Sequence, residues 1–122
     1  MPETKKRRLP TVLLYGLDGA LAGPLGEALV HCSCHVKNTE ARSEKQTADI
    51  VFCAHTPDVL NDALSRFKAT PVVVVSRLPE VDGWLDALEA GAADYCAAPF
   101  ETAQLQWLLD SHTKVRAALY AA

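Results

Sequence analysis

Residues 71–109 read PVVVVSRLPEVDGWLDALEAGAADYCAAPFETAQLQWLL, and this stretch decides the fold. Pro71–Val75 is aliphatic on both faces and β-branched, as a strand sandwiched between two layers must be. Glu80–Ala90 places Val81, Trp84, Leu85 and Leu88 at helical spacing, and Gly91 suits the left-handed residue that stops a helix. Asp94–Ala98 is short and reads as an edge strand, followed by a Pro99-Phe100 turn. A last helix is predicted over Glu101–Leu119, striped by Leu105, Leu108, Leu109, Val115 and Leu119. Strand, helix, strand, turn and helix in this order build a parallel sheet.

The same alternation runs upstream. Thr11–Tyr15 (TVLLY) and Ile50–Cys53 (IVFC) repeat the two-sided apolar pattern of a buried strand. Thr56-Pro57-Asp58 starts a helix, with Thr56 as N-cap, Pro57 in the first helical position and an acid in the first turn. That helix sets Val59, Leu60, Ala63, Leu64 and Phe67 on one face. The first helix is predicted to begin at Pro24, after Gly23, and to cover the sheet with Leu25, Ala28 and Leu29. Ser33–Asn38, with Val36 its one strongly apolar residue, reads as the second edge strand. Thr39–Ala48 is polar nearly throughout, so any helix there is short and exposed. The sum is an α/β fold: a doubly wound (βα)5 sandwich of three layers, flavodoxin-like, with parallel strand order 2-1-3-4-5. Functional groups are expected beyond the carboxyl ends of strands one, three and five.

A chain of 122 residues with 49% hydrophobic and 22% charged residues is one globular domain. Its net charge of −3 argues against nucleic acid as the main partner. The basic run Lys5–Arg8 (KKRR) reads as a solvated tail over residues 1–8. No apolar run approaches the roughly 20 residues of a membrane helix, and the N-terminus makes a poor signal-peptide core. The expected location is cytoplasmic, where the four cysteines stay reduced.

Pro71–Leu109 resembles the second half of a response-regulator receiver domain of the CheY-like type. Ser76 ending the fourth strand, ALEAGAADY at the helix stop and the Pro-Phe turn fall in that family's order. The topology extends the resemblance over Leu9–Leu119, making 9–122 a receiver-like domain. Such domains carry an acidic pair after strand one, a phosphoacceptor Asp ending strand three, a Ser or Thr ending strand four and a Lys before the Pro-Phe turn. The acids hold magnesium, which neutralises charge as phosphate passes to the Asp.

Here Gly16 and Leu17 replace the acidic pair, and Asp18 comes one or two residues late. Counting from Asp49 puts Ala54 at the acceptor position; a slip of one residue puts Cys53 or His55 there. Ser76 is retained, and Ala98 stands where the Lys would. The resemblance also implies a cis bond before Pro99. The acids, acceptor and Lys are useful only together, and their joint absence describes a degenerate receiver, not phosphorylated in the family's usual way and without its magnesium site.

Trp107 falls off the apolar stripe of the last helix and is expected to be exposed, with Trp84 at the edge of its own stripe. Tyr95 occupies the family's switch position. In receivers the surface formed by the helix before the last strand, that strand and the last helix meets partners or dimerises, so Trp84, Tyr95 and Trp107 are candidate contacts. The functional expectation is a non-enzymatic protein-interaction module of two-component signalling, its partner a sensor kinase, an output protein or a second copy. The alternative is a small domain binding a phosphate-bearing ligand near Gly16–Gly19, Ser76 and His55, because glycines after a strand expose backbone N–H groups to an anion. His31–His35 (HCSCH) is too tightly spaced for the usual zinc pattern and lies at the other end of the sheet from Cys53, His55 and Cys96. Cys53 and Cys96 read as small core residues, His55 as a loop histidine, and His112 as a buried or half-buried structural one.

Overall fold

The computed structural model describes residues 9–39, 48–77 and 81–113, without the side chains of 38, 39 and 81–84. The KKRR tail, most of the polar stretch after the second strand, and Val115 and Leu119 therefore lie outside the described residues. Five strands and four helices alternate: β1 (Thr11–Tyr15), α1 (Gly19–Val30), β2 (His35–Thr39), β3 (Ile50–Ala54), α2 (Pro57–Arg66), β4 (Val72–Ser76), α3 (Val81–Ala90), β5 (Asp94–Ala97) and α4 (Thr102–His112). All neighbours pair in parallel in the order β2-β1-β3-β4-β5, the doubly wound order expected.

The continuous apolar strands are buried because both faces are covered. On one face Val12, Leu14, Ile50, Phe52, Val73 and Val75 pack under α1 and α4, whose Leu25, Leu29, Leu105, Leu108 and Leu109 are almost fully buried. On the other, Leu13, Val51, Cys53, Val72 and Val74 meet Leu60 and Ala63 of α2 and Ala87 of α3. Phe67 closes edge-on against the Tyr15 ring at 5.6 Å. Asp49 ties β3 to β1 at their starts: its carboxylate accepts from the Thr11 N–H at 2.7 Å, and its own N–H donates to the Thr11 carbonyl at 2.8 Å.

Two helix boundaries differ from the sequence reading. Helix α1 begins at Gly19, not at Pro24. The Asp18 carboxylate caps it by accepting from the Leu21 N–H at 3.1 Å, and Leu21 is thereby drawn into the core. Pro24 stays inside the helix on its exposed side, where the missing N–H costs one helical bond and the ring meets no packed neighbour layer. Helix α4 stops at His112, because Thr113 is extended (φ −101°, ψ 144°) and donates its N–H back to Leu109; the rest of the predicted stripe lies outside the described residues. The Ala98–Pro99 bond is cis, as the resemblance implied.

Candidate functional site

The carboxyl ends of the strands bring the candidate positions side by side. Register pairs Tyr15 with Cys53, Ala54 with Val75 and Ser76 with Ala97. Gly16, Ala54, Ser76 and Ala98 therefore follow one another across the top of the sheet, and the Ala98 N–H donates to the Ser76 carbonyl at 3.1 Å. Ala54 and Ala98 are half-buried, and Ser76 is buried. Leu17 turns its side chain down onto the α1–α4 core.

The geometry at Gly16 leaves no room for a side chain there. Its φ is +68°, in the left-handed region, and a Cβ there would stand 2.7 Å from Cγ1 of Val59 on α2. Val59 thus occupies the space beside Gly16 that a side chain would need. Sequence reading placed Val59 on the apolar face of its helix, but nothing in the sequence marks its approach to residue 16.

Asp18, the one acid left in the β1–α1 loop, is engaged as the cap of α1. Its other oxygen stands 3.9 Å from the Arg77 guanidinium, both side chains being more than half exposed. Arg77 was not anticipated; it follows Ser76 directly and brings a cation to this end of the sheet. At that exposure the pair contributes little stability, but each charge offsets the other.

Tyr95 departs from expectation. Sequence reading made it a surface contact, whereas the structure turns it inward, half-buried on the α2–α3 core. Its hydroxyl and that of Ser76 lie 2.9 Å apart, where either can donate. The reason is alternation: Ser76, Val74 and Tyr95 all point to the α2–α3 face of adjacent strands, so the ring reaches along β4 to the Ser76 hydroxyl. Trp107 is exposed, at 58%, as expected. Its indole meets the His112 ring edge-on at 6.3 Å, and half-buried His112 is bonded to Asp94 at the start of β5, Nε2 to Oδ2 3.0 Å. The Trp84 side chain lies outside those described.

Burial pushes the Cys53 and Cys96 thiols up to about 12, with the Asp94 charge adding to the rise at Cys96. Both are core residues, as read, and stay protonated near neutrality. In HCSCH, burial and then neighbouring Cys32 push Cys34 up to about 11. Among the described residues no three His, Cys, Asp or Glu side chains converge as metal ligands. At the strand ends Gly16, Leu17 and Ala54 carry no carboxylate, and Asp18 is engaged as the cap of α1, so these residues do not supply the oxygen ligands a magnesium ion takes. His55 is exposed just beyond Ala54. No described helix is long and apolar enough to cross a membrane.

No protein-family model matches the chain, and no curated protein does. Solved structures do. NtrX from Brucella abortus superposes with a TM-score of 0.74 at 14% identity, over 93% of this chain and 29% of its own. A response regulator from Thermotoga maritima gives 0.67 at 23% identity, over 90% of this chain and 99% of its own. The chemotaxis response regulator CheY4 of Vibrio cholerae gives 0.67 at 15% identity, over 85% and 98%. The chain thus spans under a third of NtrX but nearly all of the two shorter regulators. The strand order agrees with these likenesses: the chain has the fold of the response-regulator receiver domains.

Proposed function

We propose that this protein is a degenerate receiver that takes up no phosphate and acts as a protein-interaction module through α3, β5 and α4. The observation that carries the reading is the set of neighbouring strand ends: Gly16, Ala54 and Ala98 offer no side-chain oxygen or amine, and the Ser76 hydroxyl is engaged with Tyr95. Phosphoryl transfer to a side chain needs an acceptor oxygen, a cation to hold the transferring oxygens and ligands for that cation. We read the module as non-enzymatic, because among the described residues the carboxyl ends of the strands bring no acid/base or nucleophile pair together. With the Ser76–Tyr95 pair made, the switch position is held in one state, and binding is constitutive or set by the partner. That partner is a sensor kinase or an output protein.

Arg77 beside Ser76 is the one feature favouring the second reading, an anionic ligand at Gly16–Gly19. Against it, the Asp18 carboxylate already takes the Leu21 N–H and faces Arg77, putting negative charge where the anion would sit.

Amide NMR tests both. Magnesium with beryllofluoride is expected to leave Ala54 and Ser76 unmoved, and a nucleotide panel to leave Gly16–Gly19 unmoved. Saturable shifts at Ala54 and Ser76 with magnesium and the phosphoryl mimic overturn the degenerate-receiver reading. Shifts at Gly16–Gly19 with nucleotide alone establish the second reading in its place.

A further inference from the structure

Between Arg77 and Lys114 the chain carries seven acids and no Lys or Arg, so all 12 basic residues stand elsewhere, against the remaining eight acids. This run builds α3, β5 and α4. The same face holds three of the large hydrophobic side chains left in solvent: Leu85 (51% exposed), Leu88 (36%) and Trp107 (58%). Ala87 is the buried point of α3, and with right-handed crossovers that puts Leu85 and Leu88 on the flank looking toward the outer edge of β5. On α4, buried Leu105, Leu108 and Leu109 turn Trp107 outward, and its contact with His112 leans it to the β5 side, where Asp94 holds that histidine. Strand β5 pairs with β4 alone among the described strands. Apolar anchors thus straddle a sheet edge, with exposed Glu89 on α3 and Glu101 at the start of α4 as acids of the same run.

We infer, resting on the interaction reading above, that this face takes a basic amphipathic segment of a different protein and not a second copy of itself. In a two-fold contact each surface meets its own copy, so acids face acids around the apolar centre. Like charges brought together across an interface select against that partner. A segment with Lys or Arg flanking Leu-like residues meets both features at once: apolar anchors fill the space between Leu85, Leu88 and Trp107, and the cations neutralise the rim. Its association is fast and salt-sensitive, because rim charges act through the field before contact.

The probe is a helical peptide of Lys and Leu, with Leu at helical spacing, beside a twin carrying Glu for every Lys. Each is titrated into the full ¹⁵N-labelled chain, and sedimentation equilibrium reports self-association. The Lys peptide is expected to shift Leu85, Leu88 and Trp107 saturably, and to weaken severalfold between about 50 and 300 mM salt. Glu89→Lys with Glu101→Lys is expected to weaken it about tenfold, with the stability of the fold little changed, because both side chains are exposed and a cation gained in the last turn of α3 offsets one gained at the N-cap of α4. The Glu peptide is expected to be silent and the chain to sediment as a monomer. Equal binding of the Glu peptide at this face, or self-association through it, overturns the charge inference and leaves the interaction reading standing. Silence of this face toward both peptides and toward rising protein concentration overturns the inference and the reading beneath it.

Discussion

Replacing Gly16 with Ala asks one loop position to accept two costs at once. The first is conformational: φ is +68°, and an L-residue with a Cβ pays about 1–2 kcal/mol in the left-handed region. The second is steric, since the new Cβ would stand 2.7 Å from Cγ1 of Val59. Val59 is half-buried and packed against the α2–α3 core, so it yields only by moving its helix or leaving its rotamer, an overpacking cost of about 1–3 kcal/mol. The sum is about 2–5 kcal/mol, a large part of the stability of a domain this size. Urea unfolding of the single mutants and of the double mutant Gly16→Ala/Val59→Ala separates the two parts. With Val59 truncated, Gly16→Ala is expected to cost only the conformational part, about 1–2 kcal/mol, and the cycle to show a coupling above about 1 kcal/mol. A Gly16→Ala protein within about 0.5 kcal/mol of wild type, or strictly additive mutants, refutes the reasoning. The same geometry predicts that Gly16→Asp, which writes an acid back into the loop, is destabilising and does not create a magnesium site.

Other expectations follow from the structure. Tyr95→Phe is expected to cost about 0.5–1.5 kcal/mol, with a coupling of similar size to Ser76→Ala in a double-mutant cycle, because the two hydroxyls lie 2.9 Å apart; no coupling removes the pair from the account. Trp107→Ala is expected to leave stability within about 0.5 kcal/mol, since the side chain is exposed. Calorimetry checks it, and a large loss of Tm places the indole in the fold instead of at an interface. The thiols of Cys53 and Cys96 are raised from an ordinary 9.0 to about 12. The folded state therefore keeps protons that the unfolded chain releases, so this stability is whole below about pH 9 and is lost as pH rises toward 12. The slope reaches up to about 1.4 kcal/mol per pH unit for each thiol. Denaturation between pH 8 and about 11 is expected to show that fall, and Cys53→Ala to make it shallower; a flat profile contradicts the burial argument.

The fold was legible where the chain has no choice. β-branched runs such as Val72–Val75 are stable only when covered on both sides, and Thr56-Pro57-Asp58 fits a helix start and little else. The short strand Asp94–Ala97 and the cis proline came from the family's order of motifs, not from propensity. The two misread boundaries share a cause. Pro24 and the stripe through Val115 were outweighed: Asp18 caps α1 five residues ahead of the Gly23 that Pro24 suggests, and extended Thr113 ends α4 at His112. At the site, which positions meet was readable from strand order alone. The inward turn of Tyr95, the approach of Val59 to Gly16 and the pairing of Asp18 with Arg77 were not, because each joins residues distant in sequence, and no spacing rule encodes such distances.

The central claim is that the receiver frame persists while its phosphoryl chemistry is gone. The most direct measurement is labelling by radioactive acetyl phosphate with magnesium, on the wild-type chain and on Ala54→Asp, with acid- and base-lability of any label recorded. No acyl phosphate is expected on either protein, because an acid restored at residue 54 alone still lacks cation ligands at 16 and 17 and an amine at 98. Stable, stoichiometric, base-labile label on the wild-type chain, or ready labelling of Ala54→Asp alone, contradicts it.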